Sequence, residues 1–317
     1  MKVLVCGATG FIGRNLVERF AGYPGWEVVG VYHKRPPFDH PGLGWVAADL
    51  TDSRDVARCL EGVDVIIQAA ATTSGSRDIV TRPYIHVTDN AVMNSLLFRA
   101  AFERQLKQVI FFSCSIMYPS SAEPLTEESF DANAPLHPRY FGAANTKLYI
   151  EKMCEFFSQI GQTRFTAIRH SNIYGPHDKF DLERSHVFGA TITKVLTARE
   201  GCVTVWGTGE EARDLLYVDD LADFVEAAIE RQPSPFGLYN CGIGQAVSIK
   251  DLVHAIVQAS GRALRIEHDL SQPTIKTSLS LDCSKAEREL GWKAKTSLAE
   301  GIARTIQWWR AHPPVEQ

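Results

Sequence analysis

The run Gly7-Ala8-Thr9-Gly10-Phe11-Ile12-Gly13 constrains this chain more than any other stretch, because it follows an apolar strand pattern, Lys2–Cys6, and opens a helical one, Ile12–Phe20. A strand that reverses into a helix within a few residues needs glycine at the turn, where larger side chains collide. The same turn collects unpaired backbone N–H groups at the positive end of a helix, which makes it receptive to an anion. Glycines alone mark many ordinary turns. A strand before and a helix after, at the head of the chain, point to the phosphate-holding turn of a dinucleotide fold.

Beyond it, short β-branched runs alternate with longer amphipathic ones. Glu27–Tyr32, Gly44–Ala47, Val63–Gln68, Gln108–Phe112 and Thr163–Arg169 read as strands, and Arg54–Leu60, Asn90–Gln105 and Ala144–Ser158 as helices. This alternation predicts an α/β fold: a Rossmann-type doubly wound parallel sheet covered by helices on both faces. After about Ile173 it breaks into Gly-, Pro- and charge-rich loops at Tyr174–Glu183 and Trp206–Arg213, with a last helical pattern at Leu298–Trp309. The expected division is a first domain of residues 1–172, rejoined by about 214–235 through a helix at Tyr217–Glu230, and a smaller α/β lobe made of 173–213 and 236–317.

Composition narrows the function classes. With 317 residues and 45% apolar content, the chain can bury such a core. A net charge of -4 lacks the basic excess of a nucleic-acid surface. No stretch approaches the roughly 18 apolar residues of a membrane span. The seven cysteines, Cys6, Cys59, Cys114, Cys154, Cys202, Cys241 and Cys283, stand singly. Without a C-x-x-C pair they offer no zinc framework and suit a reducing cytoplasm. The expectation is a soluble cytoplasmic protein with no metal, nucleic acid or membrane among its partners.

The Gly-x-x-Gly-x-x-Gly spacing is followed in order by Asp49-Leu50, Ala69-Ala70-Ala71, Asn90 and Lys147. Together they resemble the extended branch of the short-chain dehydrogenase/reductase superfamily, the NAD-dependent epimerase/dehydratase family. The resemblance implies a nicotinamide cofactor on Gly7, Thr9, Gly10, Phe11, Ile12 and Gly13, with Asp49, Leu50, Ala69, Ala70, Ala71, Asn90 and Lys147 along its length. The second strand ends in His33-Lys34-Arg35 with no carboxylate to hold a ribose 2′-hydroxyl. Basic residues there suit a 2′-phosphate, so NADP is the expected cofactor and NAD the alternative.

A second set of matches runs from Ser171 to Phe180, then Ser185-His186-Val187, Val205–Gly209 and Arg213–Asp220. It closely resembles the GDP-fucose and GDP-colitose synthase branch. That implies a nucleotide-diphosphate sugar contacted by Asn172, His186, Val187, Trp206, Arg213 and Lys276, with the diphosphate on Arg213, whose planar fork matches phosphate oxygens. It also implies a homodimer formed through the helices at Asn90–Gln105 and Ala144–Ser158.

Two positions depart from the family. Its members carry a tyrosine four residues before the lysine, acting with a serine or threonine; the lysine ammonium lowers a phenol pKa of about 10 towards working pH. Lys147 fills the lysine position and Ala143 the tyrosine position. A methyl group moves no protons, so Ala143 reads as a replaced tyrosine in an otherwise retained site. Tyr140 and Tyr149 are seven residues before and two after Lys147, on other helical faces. The family's serine position is Cys114, with Ser113 and Ser115 beside it as hydroxyls that can serve instead. His186 matches the acid/base histidine of epimerisation, but the position of its partner cysteine is Ile116.

The expected catalytic group is therefore Ala143, Lys147, Cys114, Ser115 and His186. The expected reaction is 4-keto reduction or epimerisation of an NDP-hexose, a GDP-linked 6-deoxy-4-keto sugar, by hydride exchange between NADP(H) and C4, impaired by Ala143. Two alternatives stand beside it: epimerisation at C3/C5 by deprotonation and reprotonation, and a non-catalytic sensor of NADP(H) or sugar nucleotide.

Overall fold

The computed structural model describes residues 1–72, 82–182, 185–199, 201–271 and 277–313. Seven parallel strands form its main sheet in the order β10-β6-β5-β4-β1-β2-β3. They are β1 (Lys2–Cys6), β2 (Glu27–Tyr32), β3 (Leu43–Ala47), β4 (Val65–Gln68), β5 (Gln108–Phe112), β6 (Arg164–His170) and β10 (Phe236–Cys241). Strands β4 and β5 are buried along their whole length, as befits near-continuous apolar runs covered on both faces. β4 starts at Val65 rather than Val63 because Gly62 turns the chain at φ +69° and the Asp64 carboxylate accepts the Lys2 N–H at 2.8 Å.

Helices α1 (Phe11–Phe20) and α6 (Val218–Arg231) cover one face, around Val17, Phe20, Ile110, Leu221 and Phe224. On the other face, α2 (Ser53–Cys59), α3 (Thr88–Glu103) and α4 (Phe141–Ile160) enclose Leu4, Ile66, Leu97, Phe98 and Phe165. The strand order reverses between β1 and β4, so the carboxyl ends of β1, β4, β5 and β6 open onto a crevice, where open α/β sheets bind ligands.

The second lobe centres on β7 (Asn172–Tyr174), β9 (Ala212–Tyr217), β11 (Ala246–Ser248) and β13 (Ser278–Leu279), beside a pair formed by β8 (Cys202–Trp206) and β12 (Arg265–Asp269). Helices α5 (Val187–Thr197), α7 (Ile249–Ser260) and α9 (Leu298–Ala311) pack there through Phe188, Ile192, Leu252, Ile256, Ile302 and Ile306. The return of the chain to the first lobe runs beyond the expected residue 235. β10 pairs with β6 from Phe236↔Phe165 to Cys241↔His170, with Tyr239 fully buried, and α8 (Ser284–Leu290) adds Ala286 and Leu290 to the same core. A side chain as large as Tyr239 needs the sheet's cover, which draws 236–241 into the first lobe. Among the described residues, no helix is long and apolar enough to cross a membrane, and no group of three or more His, Cys, Asp or Glu could hold a metal ion.

Candidate active site

The glycine turn has the shape of a phosphate cradle. Gly7 adopts φ +70°, and a Cβ there would lie 2.7 Å from the Ala70 α-carbon; at Gly13 a Cβ would run into the Gly7 carbonyl. Gly10 precedes α1 with no side-chain cap, so the N–H groups of the first turn, from Phe11 and Ile12 onward, have no side-chain acceptor at Gly10. These features fit a dinucleotide diphosphate. At the end of β2, Arg35 donates to the Thr9 carbonyl at 2.8 Å, Lys34 is exposed, and His33 lies 3.7 Å from Asp49. Hydrogen bonds from Thr51 hold the Asp49 carboxyl below its ordinary pKa. A cavity of about 250 Å³ adjoins this turn, lined in part by Thr9, Gly10, Arg14, Arg35 and Asp178. Arg14, on the first turn of α1, places its guanidinium 4.1 Å from the Phe38 ring centre, a contact that no sequence motif signals.

After β4, Ala69 and Ala70 are half-buried, Ala71 is exposed, and Leu50 lies buried beyond β3. Asn90 is also buried. Its amide accepts from the Thr72 N–H at 3.1 Å and donates to the carbonyls of Thr72 and His86 at 3.1 and 2.9 Å. It thus clamps the alanine segment in place rather than offering a free polar group.

The residues expected to form the chemical centre lie between the ends of β5 and β6 and the first turns of α4. Lys147 donates to the Phe112 carbonyl at 2.6 Å, with its ammonium 4.7 Å from the Phe111 ring centre. Burial pulls the Lys147 pKa down, against Cys114 and Glu151, which raise it. Burial pushes the Cys114 thiol up, and Lys147 counters that. Ala143 is half-buried one helical turn before Lys147. Ser113 is not available to the crevice: its hydroxyl donates to Glu151 at 2.5 Å, and Glu151 also accepts two bonds from the buried Arg169, at 3.0 and 2.7 Å. Ser115 is buried, and its carbonyl accepts from the Tyr118 N–H at 3.1 Å. Cys114, partly exposed between them, interacts with the Lys147 ammonium.

Tyr149 is 54% exposed on the outer face of α4, away from this centre. Tyr140 is half-buried, and its phenol interacts with Arg213, Arg139 and Cys114, although burial raises its pKa. Residue counting along a helix misses this, because Pro138–Tyr140 form a separate 3₁₀ turn before α4 begins. His170 carries no motif in the sequence that sets it apart. It ends β6, hydrogen-bonds the Ser171 carbonyl at 2.7 Å and interacts with both Lys147 and His186; burial lowers its pKa to about 4.

The second lobe supplies the opposite wall. Asn172 donates to the Asp214 carbonyl at 3.3 Å. Arg213, on β9, donates to the carbonyls of Ala212 and Thr277, and burial lowers its pKa. His186 occupies the N-cap position of α5 without a side-chain cap hydrogen bond and is exposed, with half-buried Val187 next to it. Trp206 is 49% exposed, with the Lys194 ammonium 5.1 Å from its ring centre. Lys194 bears nothing in the sequence that sets it apart, since one more lysine on an amphipathic helix is unremarked. Lys276 lies outside the described residues.

An open parallel sheet with a glycine cradle at its switch point, and a half-buried lysine across from it on α4, defines a dinucleotide-dependent enzyme. Residues 3–242 match the NAD dependent epimerase/dehydratase family, and the chain belongs to it. It is 30% identical over 316 residues to GDP-L-fucose synthase 1 of Arabidopsis thaliana, covering 97% of this chain and 93% of that protein. GDP-L-colitose synthase of Yersinia pseudotuberculosis is 26% identical over 315 residues, 98% of each chain. Among solved structures, MoeE5 in complex with UDP-glucuronic acid and NAD superposes with a TM-score of 0.84 at 27% identity, covering 98% of this chain and 99% of that one.

Proposed function

We propose that the protein is a nucleotide-sugar 4-keto reductase/epimerase that binds a GDP-linked 6-deoxy-4-keto hexose and NADP(H), and that Ala143 deprives it of its carbonyl proton donor. The observation that carries this reading is the Lys147 ammonium, anchored on the end of β5 and interacting with Cys114, with a methyl group one turn away where a phenol belongs. When bound, the nicotinamide supplies or takes up the hydride at C4. Lys147 orients the adjoining ribose and would lower the pKa of a phenol at position 143; the alanine present leaves the developing alkoxide without a proton donor. Arg35 and Lys34, without a carboxylate at the end of β2, favour a 2′-phosphate and hence NADP. Arg213 takes the sugar diphosphate, the Trp206 ring with Lys194 offers a face for the nucleobase, and Asn172 and His186 line the hexose. Incubation with NADPH and GDP-4-keto-6-deoxymannose tests the proposal: it predicts tight binding of both and slow turnover. Tight NADPH binding with no affinity for any GDP-sugar would favour the sensor instead.

A homodimer and a reducing cytoplasm belong to the same reading. Tyr149, Phe156 and Ile160 on α4 are each more than half exposed, and Val92 on α3 is 40% exposed, an apolar stripe suited to a second copy. All seven cysteines are free.

A further inference from the structure

The cavity beside the glycine turn holds two arginines with donors to spare. The first lobe lines it with Thr9, Arg14, Arg35 and Phe38, and the second with His177 and Trp308. Arg35 gives one N–H to the Thr9 carbonyl at 2.8 Å, and Arg14 gives its Nε–H to Glu18 at 2.8 Å. Among the described residues, no acceptor takes the two terminal amino groups of Arg14 or the remaining donors of Arg35. Arg14 is also held flat. Its guanidinium lies 4.1 Å from the Phe38 ring centre, and Phe38 packs against Trp45 at 5.0 Å between ring centres. A guanidinium stacked on a ring keeps its N–H edge free for hydrogen bonds in its own plane. The carboxylates nearby are occupied. Glu18 is shared between Arg14 and His177, the latter at 3.0 Å. Asp178 accepts the Lys179 N–H at 2.7 Å on Oδ1 and packs Oδ2 against α5, where a Cβ on Gly189 would sit 3.1 Å away.

We propose that Arg14 is a specificity-determining residue for the cofactor's 2′-phosphate, acting from α1 together with Arg35 from the end of β2. The inference rests on the reading of the cofactor as NADP(H). In this fold the helix after the glycine turn receives the diphosphate on its first N–H groups, and the adenosine ribose lies at the end of the second strand. Arg14 stands on the first turn of that helix and Arg35 just past that strand, and both line the one cavity between them. A phosphate on the ribose therefore meets two guanidiniums, whose planar forks match its oxygens. A bare ribose hydroxyl in its place cannot offset the two positive charges, and the loss falls on the affinity for NADH. Arg14 is preorganised for this role by Phe38 and Glu18, so little side-chain freedom is lost when the phosphate binds.

The test is calorimetric titration of the unaltered chain and of Arg14→Ala with NADPH, NADH and adenosine 2′,5′-bisphosphate. The unaltered chain binds NADPH about a hundredfold more tightly than NADH, or better. Arg14→Ala weakens NADPH and the bisphosphate about ten- to a hundredfold and leaves NADH within about twofold. Arg14→Lys keeps the charge without the planar fork and recovers part of the loss. Arg14→Gln replaces the alanine variant if Glu18, left with one partner, disturbs folding, judged by melting temperature. Unchanged NADPH affinity in Arg14→Ala overturns the role of Arg14 and leaves the NADP reading standing. Equal weakening of NADPH and NADH overturns it as well, since Arg14 then acts on the turn and not on the phosphate. Equal affinity of the unaltered chain for NADPH and NADH overturns the cofactor reading beneath the proposal.

Discussion

Lys147 reaches from α4 to the end of β5, where its ammonium donates to the Phe112 carbonyl at 2.6 Å. One bond to a carbonyl fixes the lysine on the crevice side of the sheet and leaves two N–H groups for a ribose and an acid. The pairing survives in a chain with no phenol at position 143, because the strand end holds the lysine and the missing tyrosine does not. Binding geometry and proton transfer are therefore separable here, and the predictions divide the same way.

Glu151→Gln is expected to destabilise the fold by about 3–5 kcal/mol, because it leaves the Arg169 guanidinium buried without its counter-charge. Urea unfolding monitored by circular dichroism measures this. A loss below 1 kcal/mol would mean that solvent reaches Arg169 and the network under the site is not closed.

Acid should weaken the fold through His170. Its pKa is lowered to about 4 by burial, so between that value and the ordinary histidine value the unfolded chain binds the extra proton. Stability from this group is intact above about pH 6.5 and is lost as pH falls towards 4. His170→Gln should flatten the dependence of melting temperature on pH in that window. An unchanged slope would assign the acid sensitivity elsewhere.

The fold was legible in the sequence to a degree that the site was not. Lys2–Cys6, Glu27–Tyr32 and Gln108–Phe112 fall where the apolar runs put them, since strands buried on both faces advertise themselves by composition. β10 escaped, because Phe236–Cys241 follows a break in the alternation and only its pairing with β6 reveals its lobe. The site depends on contacts between distant segments. No periodicity indicates that Ser113 turns to Glu151, or that Asn90 is spent on holding Thr72. Tyr140 and His170 enter the crevice through a 3₁₀ turn and a strand end, features of packing rather than of pattern.

Arg35→Ala should weaken NADPH binding about ten- to a hundredfold, the range for a lost charge-assisted hydrogen bond, and leave NADH binding nearly unchanged. Fluorescence titration of both cofactors distinguishes this from damage to the turn through the lost Thr9 contact, which would weaken both equally.

Phe156→Glu should shift the protein from dimer to monomer in light scattering at micromolar concentration, because a charge in the exposed α4 stripe cannot be buried without a partner. An unaltered mass at the dimer value would move the interface to another face; a monomer before substitution would remove it.

The most direct test of the central claim is the turnover of Ala143→Tyr beside the unaltered chain, on GDP-4-keto-6-deoxymannose with NADPH. A positioned general acid contributes about 10²–10⁴-fold, so kcat should rise by that factor while the affinities for both ligands stay within a few-fold. Equal turnover of the two proteins, with both ligands bound, would contradict the assignment of residue 143 as the proton donor's place.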